Sequence, residues 1–419
     1  MKTTTLEPLP LQEVRPPARR LPPRRWIKEN LFSTWFSGFL TVLLAALLGW
    51  ALYKIARFVF VDARWEIVEV NLRNFLVFRF PRDETWRLWA ALYLLAGAFG
   101  VGGGVASRVR DEEVREGRAG PPSRLLTLRR LGPLLAVALV LLWFAKSLEA
   151  TLLVVGAAAT WAAARAGGRH VPRRRMRWAV GAVLLGAASA YIMVGVVALG
   201  GVGWERWGGL LLTVFLAVGG IIISFPLGVL LALGRRSSLP AVRIVCVAYI
   251  ELVRGVPLIT VLFMGAFMLG FFLPPGSETP SLATRALVAL VLFTAAYVAE
   301  IVRGGLQSVP REQIEAAQAL GLSALKTTRL IVLPQALRAV IPALVGQFIS
   351  LFKDTSLVFI IGLTELLAVA EVITSQPGFL AQGLIVETLV FAAFVYWAGS
   401  YWMSRESQRL EVRLGVGQR

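Results

Sequence analysis

Glu315–Pro334, EAAQALGLSALKTTRLIVLP, is the most polar long segment in the C-terminal half of the chain, and apolar runs border it on both sides. Just upstream, Pro310 suits the first turn of a helix, because its missing N–H would be unpaired there anyway. Ser308 or Val309 is then the N-cap. The helix Arg311–Leu320 closes at Gly321, a residue able to take the left-handed conformation that ends helices. Ser323 caps a second helix and Pro334 stops it. The spacing therefore predicts helix, tight glycine turn, helix. Such a protrusion, with a small Ala316-Ala317 surface, can insert into a groove on another protein. An ordinary amphipathic hairpin shares the spacing.

What surrounds this stretch is membrane-like. The 419 residues are 57% hydrophobic and only 16% charged, with a mean hydropathy of +0.68. A soluble domain of this length does not carry so few charges, whereas apolar runs of about 17–25 residues each span a bilayer. An all-α polytopic membrane protein is expected. The net charge of +19 does not indicate nucleic acid, because the basic residues fall in short loops between apolar runs and act as orientation signals. Cys246 and His170 are the only residues of their types. One of each builds no disulfide framework, zinc site or Cys/His nucleophile pair, so no metal and no catalytic residue is expected.

Charge placement orders the spans. Residues 1–34, rich in Pro and Arg, read as an extended cytoplasmic tail, too long and polar for the leader of a signal peptide. Spans follow at Trp35–Arg57 and Trp86–Ser107, separated by a mixed-charge segment to Arg82 that fits the outer face. Leu131–Ala164 is flanked by arginines on both sides and reads as two short helices turning near Lys146–Glu149. Trp178–Leu199 completes an N-terminal membrane extension, 35–200, of about five spans. Gly100 and Gly104 in it form a small-xxx-small pair suited to close helix packing.

From residue 201 to 405 five more spans are expected: Trp207–Gly234, Val242–Leu273 with a break at Gly255 and Pro257, Leu282–Ile301, Gln335–Phe352 and Leu384–Trp402. A second cytoplasmic tail, 406–419, ends the chain. Lys353–Gln382 is too interrupted to cross and reads as a re-entrant or outer-face segment, tolerable only when buried in protein or lining a cavity. About ten spans keep every strongly basic loop, the Glu315–Pro334 stretch and both termini on the cytoplasmic side.

Glu-Ala-Ala, Gly321 four residues after the second Ala, then Ile331, Leu333 and Pro334 together resemble the EAA loop of binding-protein-dependent ABC importer permeases. Three further stretches carry the resemblance across 205–405: Glu251–Leu258 (ELVRGVPL), Tyr297–Leu306 (YVAEIVRGGL) and Lys353–Leu357 (KDTSL). Within that family they resemble the polar amino-acid (histidine/glutamine) permeases. The N-terminal half resembles the large AapM/BztC-like permease of general L-amino-acid importers in length and hydropathy only. The resemblance implies a multi-pass protein of a bacterial inner membrane, with a five-helix permease core. It implies ATP-driven import of L-amino acids handed over by a periplasmic binding protein. A second, homologous permease and a pair of cytoplasmic ABC ATPase subunits are the implied partners. Glu315, Ala316, Ala317, Gly321, Ile331, Leu333 and Pro334 are the residues it assigns to ATPase docking.

The residues themselves add to this. A P-loop needs Gly directly before its Lys. The nearest approach, Gly321 to Thr327, has Leu325 before Lys326. The chain is thus not an ATPase, and ATP and Mg belong on the partner. Ionisable residues inside spans usually face a bundle interior or a water-filled path. Glu251/Arg254 and Glu300/Arg303 are i,i+3 pairs, readable as mutual bracing of helices or, for Glu251, Arg254 and Glu300, as lining of the inner pathway. Lys353, Asp354, Thr355 and Ser356 form either a solvated outer turn or a break beside the solute path, where donor and acceptor both suit a zwitterion. A non-transporting scaffold subunit and a secondary transporter are the other function classes compatible with the composition.

Overall fold

A computed structural model describes residues 22–117, 136–171, 176–195 and 201–414. Residues 1–21, 118–135, 172–175, 196–200 and 415–419 lie outside that description, and with them most of the expected N-terminal tail and the start of the expected Leu131–Ala164 pair. Through Arg64 the chain forms a unit by itself. In it α1 (Pro23–Leu31) leads to α2 (Trp35–Arg57), which starts at a capping box. Ser37 N donates to Thr34 Oγ1 (3.1 Å), and Thr34 N donates to Ser37 Oγ (3.0 Å). The 23 residues of α2 make it about 35 Å long, enough to cross a bilayer.

The second unit runs from Trp65 onward. It therefore begins well before residue 201, where the sequence divides extension from core. Its helices are α3 (Glu66–Val77), α4 (Thr85–Arg115), α5 (Ala136–Ala145), α6 (Leu148–Gly168), α7 (Met176–Gly195), α8 (Gly209–Arg235), α9 (Pro240–Gly255), α10 (Leu258–Phe263), α11 (Leu282–Gln307), α12 (Arg311–Ala319), α13 (Ala324–Thr327), α14 (Leu333–Asp354), α15 (Leu366–Val372) and α16 (Ile385–Leu414). Among the described residues seven helical stretches are long and apolar enough to cross a membrane, or eight if the bent α9–α10 pair counts as one. The other two expected spans correspond to α5 and α7, and both abut residues outside the description.

The α5–α6 turn falls where the sequence put it: Lys146 has φ +45° and Ser147 caps α6 through Ala150 N. Lys146 Nζ also meets Glu69 of α3 at 2.6 Å. Two segments expected on the same membrane face thus touch. Gly100 and Gly104 sit at the α4–α6 crossing, where a Cβ on either would run into the carbonyls of Trp161 and Arg165. Backbone approach this close is how helices gain contact when lipid supplies no hydrophobic drive. The same device builds the centre of the molecule. α11 is the most deeply buried of these spans and packs on α8 and α14, and Ala283, Ala286, Ala295, Ala296 and Ala299 along it are fully buried.

The break at Gly255–Pro257 is sharper than a mere interruption. Val256, forced into extended backbone (φ −106°, ψ 138°) by the following proline, turns the chain through 108° between α9 and α10. Beyond α14 the chain takes a 3₁₀ turn (Thr355–Ile361), reverses at Gly362 (φ +96°) and enters α15. The seven residues of α15 extend about 10 Å, far short of a crossing. Leu366, Val369 and Ala370 of α15 are buried in protein.

Candidate functional site

The polar loop is α12, a glycine turn and α13. Pro310 is the N-cap (φ −57°, ψ 140°), one position earlier than the first-turn place expected for it. Gly321 has φ +78°, and Leu322 N closes the turn on Ala317 O (3.1 Å). Ser323 precedes α13 without a side-chain capping bond. Pro334 does not end the second helix. A π turn, Thr328–Val332, comes first, and Pro334 then occupies the first turn of α14. Proline is tolerated there because no helical bond is asked of its nitrogen.

The expected Ala316-Ala317 surface is split. Ala316 and Glu315 are exposed, whereas Ala317 is only 4% exposed and faces the root of the loop. Ile331 and Leu333 are half-buried at that root, and Pro334 is exposed. Gln335 Nε2 ties α14 back to α12 at Gln313 Oε1 (3.1 Å). The outward surface belongs to residues that the pattern did not single out. Leu320 and Leu325, on either side of the glycine turn, are 83% and 77% exposed.

A charge cluster joins the C-terminal parts of α8, α9 and α11. Glu300 binds Arg303 bidentately (2.5 and 3.0 Å) and lies 3.6 Å from Arg254 and 3.5 Å from Arg235. The Glu300/Arg303 pair forms as its spacing suggests. Glu251 instead pairs across helices with Arg235 at 2.9 Å, and Arg254 stands over the Tyr297 ring at 5.7 Å. Arg235 is the member that the sequence leaves among the orientation charges. Only tertiary packing brings it to Glu251.

A cavity of about 360 Å³ opens where α14, α15 and α16 meet, lined by Lys353, Ser356, Leu367, Leu389, Ala393 and Tyr396. Its size suits a small solute, with a few polar groups on a mainly apolar wall. Of the Lys353–Ser356 segment, Lys353 and Ser356 line it. Thr355 is buried and donates to Phe352 O (2.7 Å), and Asp354 is half-buried.

Behind the wall lies Glu365, fully buried. It accepts from Leu367 N and Ala368 N (both 2.8 Å), from the cavity-lining Tyr396 hydroxyl (2.8 Å) and, at 3.5 Å, from Thr213 of α8. The signal for it is faint in the sequence, one carboxylate interrupting an apolar run. α14 has the loop at one end and the cavity at the other, and its 22 residues separate them by about 33 Å.

Residues 224–404 match the family model described as binding-protein-dependent transport system inner membrane component. The chain is 37% identical over 408 residues to the inner membrane amino-acid ABC transporter permease protein YhdY of Escherichia coli (strain K12), covering 94% of this chain and 93% of that one. It is 34% identical over 444 residues to the glutamate/glutamine/aspartate/asparagine transport system permease protein BztC of Rhodobacter capsulatus, covering 99% and 98%. A shorter protein, the probable glutamine ABC transporter permease GlnP of Bacillus subtilis, is 38% identical over 208 residues. That match spans 49% of this chain and 92% of the relative.

Proposed function

We propose a division of labour for this chain from the premise that it belongs to the binding-protein-dependent transport system inner membrane components and, within them, to the amino-acid ABC transporter permeases. It is the multi-pass permease subunit of an ATP-driven amino-acid importer and works with ABC ATPase partners. The α12–α13 loop is the docking element for the ATPase, through Glu315, Ala316 and the turn at Gly321, with Leu320 and Leu325 as its apolar contacts. ATP and Mg stay on that partner. Ala317, Ile331, Leu333 and Pro334 hold the loop's root. Both termini are cytoplasmic, a second homologous permease completes the pathway, and a periplasmic amino-acid-binding protein delivers polar or varied L-amino acids.

The observation that supports this reading is α14, a single helix with the exposed loop at one end and Lys353, beside the cavity, at the other. Motion imposed at the loop reaches the cavity along one continuous helix, which has Pro342 in its interior. Uptake of a panel of labelled amino acids by the complex in proteoliposomes tests it. Uptake is expected to require ATP and delivery protein and to stop with vanadate. Accumulation without ATP favours a secondary transporter, and none under any condition favours a scaffold subunit.

Lys353, Asp354, Thr355 and Ser356 belong to the solute path at the cavity. Glu251, Arg254 and Glu300 belong to its inner part, where they also tie three helices together. Glu300→Gln is expected to lower uptake roughly tenfold, since it weakens three arginine contacts at once, while the ATPase still co-purifies. Loss of the whole complex instead would assign the cluster to bracing alone.

A further inference from the structure

α3 comes from the part of the chain read as extension, yet it packs into the cavity-bearing part. It lays Ile67, Val68 and Phe75, none exposed, against Leu366 and Val369 of α15, Ile373 of the 3₁₀ turn that follows it, and α16. Its one buried polar side chain is bonded through both its oxygen and its nitrogen. Asn71, 2% exposed, accepts from Gln376 Nε2 (2.8 Å) and Asn74 Nδ2 (2.8 Å) and donates to Ile67 O (3.0 Å). The Phe75 ring meets Phe391 edge-on, with centroids 4.7 Å apart.

On α16 the cavity stripe is Leu389, Ala393 and Tyr396, at i, i+4 and i+7. Phe391 and Val395 form the stripe on the other side, about 200° around the helix. The surfaces gripped by α3 and the surfaces lining the cavity are therefore two sides of the same elements, the short α15 and the N-terminal part of α16. Displacing one displaces the other, because close-packed helices shift as units.

We infer that α3 is a positioning element of the solute cavity, with Asn71 and Phe75 as its positioning residues. They hold α15 and α16 so that Leu367 and Tyr396 stand at the cavity wall. This rests on the cavity being part of the solute path.

The test is the concentration dependence of amino-acid uptake by the reconstituted complex. Asn71→Leu strands the Gln376 amide and is expected to raise KM roughly tenfold, the scale of one lost buried hydrogen bond, with maximal rate and ATPase co-purification unchanged. Replacing both partners, Asn71→Leu with Gln376→Leu, removes the stranded donor beyond α15 and leaves only the Asn74 amide, on α3 itself, without its acceptor; KM is expected to return to within about twofold of the parent. Val70→Ser, at a 65% exposed position of the same helix, leaves KM unchanged. A fall in complex yield or maximal rate at constant KM would overturn the inference and leave α3 a stabilising element. Should Asn71→Leu fail to assemble, Phe75→Leu is read by the same split, and an unchanged KM overturns it equally. Lys353→Gln in this assay separates the two levels. If it leaves uptake untouched, the cavity reading fails. If it lowers uptake while both α3 variants keep the parental KM, the cavity reading stands and the role of α3 falls.

Discussion

Gly321→Val is expected to abolish ATP-coupled uptake and to lose the ATPase on purification. A valine at φ +78° costs about 2–3 kcal/mol, because the left-handed region is nearly closed to β-branched residues. If the native turn is populated about 30–100-fold less, apparent ATPase affinity falls by the same factor. Nothing lies within 4 Å of a Cβ built at this position, so the damage comes from the backbone and not from crowding within the chain. The substitutions consequently rank by tolerance of positive φ: asparagine closest to the parent, alanine intermediate, valine worst. An asparagine variant as inactive as valine would show that the empty space around Gly321, and not its φ, is what docking needs.

The second large effect is expected at Glu365. Truncation to alanine leaves two backbone N–H groups and the Tyr396 hydroxyl without the acceptor that the fully buried Glu365 supplies. Orphaned buried donors cost on the order of 1–3 kcal/mol each, so a total of about 3–5 kcal/mol is expected after partial relaxation. Thermal unfolding of the detergent-solubilised complex, followed by size-exclusion recovery, should show Glu365→Ala markedly less stable than Glu365→Gln, which retains one acceptor oxygen. Equal midpoints for the alanine variant and the parent would remove Glu365 from the framework of the cavity.

The readable parts of the molecule were those set by local chemistry. Gly321 permits a positive φ that other residues resist, Pro257 forces the residue before it to extend, and both turns stand where the sequence puts them. Pro334 went the other way, since the preceding π turn lets the helix run on through it. Cross-helix pairing was the harder part. Glu251 and Arg254 are three residues apart and still pair elsewhere, because Arg235 and Glu300 approach from other helices, and no spacing along one strand of text encodes that. Ala317 turned inward for a similar reason: which side of α12 faces α14 depends on the angle of the turn. α3 carried a usable signal, Ile67, Val68, Asn71, Leu72 and Phe75, which recur at helical period in a segment whose charges drew attention first.

The junction of α8, α9 and α11 has one more consequence. With Arg236 beside Arg235, Arg254 and Arg303, its four arginines and two glutamates leave two formal positive charges over. Each of these helices also ends there, and a C-terminal end carries about half a negative elementary charge in its aligned peptide dipoles. Arg235 and Arg254 stand in the last turns of α8 and α9, and Arg236 donates to the Leu306 carbonyl near the end of α11 (3.1 Å). The surplus of arginine is the counterweight to three macrodipoles. So balanced, the junction is close to electroneutral: it welds three helices together without concentrating a charge that would hold an anion there.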